Sequence, residues 1–149
     1  MAVLENSIQI PAEREKVWQA IADLDVYARW MTLHVDFPEG IPEEMREGAS
    51  FKEKVKIMGM PGDVTWTVAG YDEGRRIELS GAGPMGTTLS AVFEVEADDD
   101  GTHVSYSSEF GGAALAPLAA ALEKEAAKAG QESLEKLRDL VTGEKLAAT

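Results

Sequence analysis

Between residues 50 and 110 the chain alternates apolar and polar residues, and short turns separate the alternating stretches. Alternation with a period of two places one set of side chains on each face of a β-strand. Strands joined by short turns pair antiparallel, because parallel neighbours need a long crossover. Five strands are predicted here, over Ser50–Met58, Val64–Tyr71, Arg76–Gly81, Thr87–Glu96 and Thr102–Phe110.

Two further strands and two short helices are predicted before this region. The strands cover Val3–Ile10 and Thr32–Phe37. Between them, Pro11 suits the first turn of a helix, where its missing N–H costs nothing. The apolar stripe of that helix consists of Val17, Trp18, Ile21 and Leu24. A second short helix is expected over residues 25–31.

The chain turns helical again from Ala113 to Gly143, with an apolar face at helical spacing. A helix of this length can lie across a whole sheet, and we expect Gly130 to bend or weaken it. The order of elements predicts an α+β fold, in which a curled antiparallel sheet of about seven strands wraps around a long C-terminal helix. Residues 1–143 form one domain in this scheme, and residues 144–149 form a tail. Space between the curled sheet and the helix makes a cavity an expected feature.

The amino-acid composition limits the classes of molecule that the protein can be expected to bind. The formal net charge of −13 argues against nucleic acid and anionic membranes, since both are bound through clustered Lys and Arg. There is no cysteine, and His34 and His103 lie far apart in sequence, so we expect no metal site and no cofactor.

The N-terminus lacks a signal-peptide pattern, and no apolar run approaches the ~20 residues that span a bilayer. A cytoplasmic protein with no integral membrane segment is the expectation.

Several stretches carry a resemblance to a known group of proteins. "NSIQIPAEREKVWQAIADLDVYARW", "DDDGTHVSYSSEF" and the closing long helix resemble the helix-grip (SRPBCC) superfamily, which includes START domains, Bet v 1-type proteins and polyketide cyclases/dehydrases. "RWMTLH", "KIMGMPGDVTW" and "EFGGAALAPL" resemble an actinobacterial subfamily of small polyketide cyclase-like proteins. Some members of that subfamily are labelled toxins of type II toxin–antitoxin pairs. The resemblance implies the helix-grip fold and a cavity.

The apolar register of the strands is expected to form the concave face of the sheet and to contact a ligand. Trp30 is placed either under the first helices or at the cavity entrance. The candidate ligand-binding residues are Trp30, Phe51, Val55, Ile57, Trp66, Val68, Leu79, Leu89, Ala91, Phe93, Ser108, Phe110, Leu118 and Leu122.

Three polar residues on or near this face are candidate catalytic residues. Glu53 falls in register with the apolar set. One interpretation is a residue near the strand end that is solvated or paired with a cation such as Arg46. The other is a cavity carboxylate with a raised pKa, which orients a ligand hydroxyl or acts as a general base. Tyr106 is either a core tyrosine with a backbone partner or a hydrogen-bond donor to a ligand carbonyl. His34 is either a surface or capping residue or a group for proton transfer near neutral pH.

Three hypotheses of function follow. The favoured one is a module that binds a hydrophobic small molecule, such as a lipid, a polyketide or an aromatic metabolite. The alternative is an enzyme resembling polyketide aromatase/cyclases, which catalyses aldol cyclisation and dehydration; against it, no catalytic pair or triad can be mapped and the expected cavity is poor in arginine. The second alternative is a toxin-like or regulatory protein that acts through a protein partner, with an exposed apolar patch on the long helix or on residues 37–48. A homodimer is also left open.

Overall fold

The computed structural model describes residues 2–143, with side chains from residue 4 onward, so the predicted tail over 144–149 lies outside the described residues. Within these described residues the chain forms seven strands, three α-helices and two short 3-10 turns. In chain order these are β1 (Ala2–Ile10), α1 (Arg14–Ala22), α2 (Leu24–Trp30), β2 (His34–Asp36), β3 (Ser50–Ile57), β4 (Met60–Asp72), β5 (Arg76–Ala82), a 3-10 turn (Pro84–Gly86), β6 (Thr88–Asp98), β7 (Gly101–Gly111), a second 3-10 turn (Ala113–Leu118) and α3 (Ala119–Thr142).

The strands form a single antiparallel sheet in the order β1-β7-β6-β5-β4-β3-β2. Strands β3 to β7 follow one another through short connections, as the alternating sequence predicts. The first strand closes one edge by pairing with β7, and the short strand β2 forms the other edge. This confirms the expected α+β helix-grip architecture, including the two short helices after the first strand.

The helices cover only part of the concave face of the sheet. Helices α1 and α2 pack on it together with the second half of α3, where Leu134, Leu137 and Val141 are buried. Trp30 and Phe93 meet edge to face at 5.7 Å in the middle of this core. The first half of α3 carries smaller residues toward the sheet and fills less of the space.

Two elements begin four or more residues away from their expected first residues. The long helix begins at Ala119 rather than Ala113, because Pro117 has no N–H to donate and the preceding residues form a 3-10 turn. Strand β4 begins at Met60, because the chain reverses at Met58 and Gly59, which both have positive φ angles of 54° and 76°. The segment expected as a loop therefore extends the β3–β4 hairpin.

Gly130, where a bend or weak point is expected, does not interrupt α3, which is continuous from Ala119 to Thr142. Gly130 instead lets β1 approach the helix. A Cβ atom at this position would collide with Oδ1 of Asn6, whose Nδ2 donates to the carbonyl oxygen of Ala127 at 3.2 Å and to Oε1 of Gln131 at 3.4 Å. The glycine thus allows a polar side chain of the sheet to join β1 to α3.

We predict that Gly130→Ala destabilises the protein by about 1–3 kcal/mol, because the added methyl group overpacks the contact with Asn6. In an Asn6→Ala background the same substitution should instead stabilise the protein by up to about 1 kcal/mol, because alanine is the better helix former. Urea unfolding followed by circular dichroism gives the four free energies of this cycle. Equal effects of Gly130→Ala in both backgrounds would contradict the assigned contact.

Candidate functional site

A cavity of about 250 Å³ lies between the concave face of the sheet and the first half of α3. The helix contributes Leu122, Ala126, Ala129 and Gly130 to its lining, and three of these four residues are small. The opposite wall comes from strands β3, β4, β6 and β7. The small residues that follow Leu122 on α3 therefore leave the space, whereas the leucines in the second half of the helix pack against the core.

Ten of the candidate residues line this cavity. They are Glu53, Val55, Ile57, Trp66, Leu89, Ala91, Tyr106, Ser108, Phe110 and Leu122. Apart from Leu122 of α3, all of them come from the concave face of the sheet, so the alternation of apolar and polar residues identified the correct face.

Seven candidate residues do not line it. They are Trp30, His34, Phe51, Val68, Leu79, Phe93 and Leu118. Phe51, Val68, Leu79 and Phe93 lie on the correct face, but they belong to the core, together with the buried residues of α1 and α2 and of the second half of α3.

Trp30 and Leu118 depart from the expectation for different reasons. Trp30 is fully buried, and its Nε1 donates to the carbonyl oxygen of Ala20 at 2.8 Å, so it is a core residue rather than an entrance residue. Leu118 is exposed because it lies in the 3-10 turn before α3 rather than on the apolar face of a helix.

Tyr27 is the most consequential residue that sequence reasoning missed. It lies in α2 and lines the cavity together with Met31. Tyr27, Trp30 and Met31 have the spacing i, i+3, i+4, which places all three on one helix face. This spacing was the signal available in the sequence.

Glu53 is buried on β3, with 1% of its surface exposed. Its Oε2 atom lies 2.7 Å from Nδ1 of His34, and its Oε1 atom accepts from Nε1 of Trp66 at 2.9 Å and from the hydroxyl of Tyr27 at 3.4 Å. These donors replace the hydrogen bonds that the carboxylate loses on leaving water. The interpretation of Glu53 as a solvated strand-end residue is therefore wrong, and Arg46 is an exposed residue that does not pair with it.

Trp66 reaches Glu53 because Gly81 leaves room for its ring. Gly81 is the cross-strand neighbour of Trp66 on β5. A Cβ atom at Gly81 would lie 2.8 Å from two carbons of the indole and 2.9 Å from Cγ1 of Val64. Only a glycine at this position lets the indole lie flat against β5 with its N–H directed at the carboxylate.

His34 supports Glu53 from outside the cavity lining. Its side chain is 7% exposed, and its ring lies 4.4 Å from that of Phe37. An ionised carboxylate only accepts hydrogen bonds, so Nδ1 of His34 is the donor in this contact whenever Glu53 is ionised. The ring thus positions Glu53, and Glu53 rather than His34 lines the cavity.

The two tyrosines of the cavity are held in the neutral form. Burial, followed by the charge of Glu53, raises the pKa of Tyr27 well above its ordinary value. The same two causes raise the pKa of Tyr106 to about 12, and a hydrogen bond with Ser108 opposes them. Tyr106 also stacks on Phe93 at 4.4 Å. Among the described residues its hydroxyl has no backbone partner, which leaves it as a neutral polar group of the cavity.

Comparisons with known proteins agree with this architecture. Residues 1–142 match the family described as polyketide cyclase/dehydrase and lipid transport. The chain belongs to this family. Within residues 2–143, no helix is both long enough and apolar enough to cross a membrane.

Two relatives come from Mycobacterium tuberculosis. The protein named Toxin Rv0910 is 31% identical over 115 residues, which cover 77% of this chain and 80% of that protein. Rv1546 is 26% identical over 141 residues, which cover 94% of this chain and 99% of that protein. Among solved structures, protein CV1439 of Chromobacterium violaceum superposes with a TM-score of 0.71 at 18% identity, covering 95% of this chain and 98% of that one. The last comparison shows the shared fold alone.

We predict that the tyrosines titrate late in the folded protein. In the unfolded chain all three tyrosines ionise near pH 10, whereas in the folded protein Tyr106 ionises near pH 12 and the pKa of Tyr27 is also raised well above its ordinary value. Since the folded pKa values are the higher ones, the tyrosines' contribution to stability is complete below pH 10 and falls as the pH rises through 12. Tyrosinate absorbance measured beside circular dichroism tests this, with Tyr106→Phe removing the step near pH 12. Ionisation of all three tyrosines near pH 10 in a chain with native circular dichroism would contradict it.

Proposed function

We propose that this protein binds a hydrophobic small molecule in the cavity between the sheet and α3. The supporting observation is the lining itself, which is mostly apolar and includes a few polar groups at defined positions. Lining of this kind is typical of small-molecule sites. Transfer of apolar ligand surface from water into such a cavity is favourable by about 25 cal/mol per Å².

The size of the cavity favours a compact ligand. A cavity of about 150 Å³ is enough for benzene, and drug-sized ligands occupy roughly 300–1,000 Å³. At about 250 Å³, this cavity suits a ligand of one or two rings, or a short chain. Tyr106, Trp66 and Phe110 contribute aromatic surface to the lining, which suits a flat ring system.

Exposed lining residues indicate where a ligand enters. Met60, Pro61 and Pro84 line the cavity and are also exposed to solvent. They lie at the start of β4 and in the 3-10 turn before β6, so the opening lies between these two segments. A ligand with a longer tail would extend into solvent at this point.

A second candidate function is an aldol cyclisation and dehydration of the kind that the family description names. The observation that favours it is the presence of Glu53 and Tyr106 in one lining. In that chemistry Glu53 takes a proton from the carbon next to a ligand carbonyl, and Tyr106 donates a hydrogen bond to the carbonyl that is attacked. Three donors already bind the Glu53 carboxylate and would weaken it as a base, so binding is the better-supported function.

Action through a protein partner is a third candidate, suggested by the name of Toxin Rv0910. It predicts an exposed apolar patch on the long helix or on residues 37–48. Ile41 of that loop is exposed, as is Leu118 before α3. Met85, in the 3-10 turn next to the opening, is the most exposed large apolar side chain of the described residues, followed by Val35 of β2 and by Met60 in the opening. None of these three lies on the long helix, which disfavours a partner on that helix.

Filling the cavity from α3 tests the proposed function. Ala126→Phe places a ring inside the cavity, whereas Ala121→Phe places the same ring on an exposed position of the same helix. With 2-naphthamide as the probe and calorimetry as the readout, we expect the wild-type protein and Ala121→Phe to bind alike and Ala126→Phe to bind at least about 10-fold more weakly, the loss expected from excluding one ring. Equal affinity for all three proteins would contradict binding in this cavity.

A further inference from the structure

The charged side chains of the cavity lining are carboxylates, and no cationic side chain of the described residues belongs to it. Glu53 and Glu109 are the only charged residues of the lining among the described residues, and no Lys, Arg or His belongs to it. Glu109 alternates with Ser108 and Phe110 on β7, so its side chain lies on the opposite face of the sheet. Glu53 is therefore the charge that a bound ligand meets.

The hydrogen-bond donors around Glu53 are already used. Trp66 and His34 direct their N–H groups at the carboxylate, and Tyr27 directs its hydroxyl there. These groups stabilise a negative charge that belongs to the protein. A second negative charge brought by a ligand would find no cation in the cavity lining, and His34 behind the lining is already bound to Glu53. The two negative charges would lie close together in a medium of low dielectric constant.

We infer that the cavity selects an uncharged ligand and rejects carboxylates and other anions of the same size. This inference rests on the proposed function and adds the chemical class of the ligand. Fatty acids and aromatic acids are excluded by it, whereas alcohols, phenols, amides and ketones remain suitable.

Tyr106 reports what an anion in this cavity costs. Burial and the charge of Glu53 together hold the pKa of its hydroxyl at about 12, compared with an ordinary value of about 10. Two pKa units correspond to a factor of about 100 against forming the negative charge. A ligand carboxylate placed beside Tyr106 meets the same two causes, so a penalty of similar size is expected.

The lysines of β3 do not remove this penalty. Lys52, Lys54 and Lys56 alternate with Glu53 and Val55 and therefore lie on the other face of the sheet. Lys52 is also paired with Glu39 at 3.2 Å. These cations can attract an anion to the outer surface, but they do not reach the space between the sheet and α3.

Two ligands of nearly the same shape test the inference. At pH 7, 2-naphthamide is neutral and 2-naphthoate is an anion. Calorimetry with the wild-type protein should show binding of the amide and a carboxylate affinity lower by on the order of 100-fold. In Glu53→Gln, which keeps the shape of the side chain and removes its charge, the difference should narrow but stay above about 10-fold, because burial, the larger of the two causes, is unchanged.

Each outcome separates the inference from the function on which it rests. Equal affinity of the wild-type protein for the two compounds would overturn the inference and leave the proposed function intact. Binding of neither compound would overturn the proposed function and the inference together. If the ratio of the two affinities is unchanged in folded Glu53→Gln, Glu53 is not the residue that causes the rejection of anions. The two affinities of the wild-type protein test the preference for an uncharged ligand even if Glu53→Gln does not fold.

Discussion

A carboxylate removed from water must regain its hydrogen bonds inside the protein, and in this protein Glu53 does so through donors from three separate elements. Tyr27 comes from α2, His34 from the edge strand β2 and Trp66 from β4. Their convergence joins a short helix, a three-residue strand and a hairpin at one point of β3. The same contacts place the carboxylate of Glu53 in the cavity lining. The hydrogen bonds that hold α2, β2 and β4 against β3 therefore also determine the charge of the site.

The cavity itself follows from side-chain size along one helix. In the second half of α3, Leu134 and Leu137 are fully buried against α1, α2 and the sheet. In the first half, Ala126 and Ala129 face the sheet without reaching it. Because the helix runs without a break from Ala119 to Thr142, the missing volume remains as space beside it. The second half of α3 thus packs against the core, and the cavity lies beside its first half.

Alternation in the sequence predicted the sheet and its concave face, because a period of two is a local property of a strand. It did not show where along each strand the helices lie. Phe93 and Ala91 share a face two residues apart, yet Phe93 packs under Trp30 and Ala91 lines the cavity. The hydrogen-bond partners of Glu53 could not be predicted from the alternation either, since they lie 13, 19 and 26 residues away in sequence and come together only in the folded protein. The sequence pointed to Glu53 as the residue that breaks the pattern, but not to what surrounds it.

The indole N–H of Trp66 offers the most direct test of the central claim, because it binds Glu53 and its ring lines the cavity. The other two indoles, those of Trp18 and Trp30, are buried in the core and serve as internal controls. In a ¹H–¹⁵N spectrum of the ¹⁵N-labelled protein titrated with 2-naphthamide, we expect the Trp66 indole resonance to shift with saturation while those of Trp18 and Trp30 stay in place. Saturable binding that leaves the Trp66 resonance unmoved would contradict a ligand site beside Glu53.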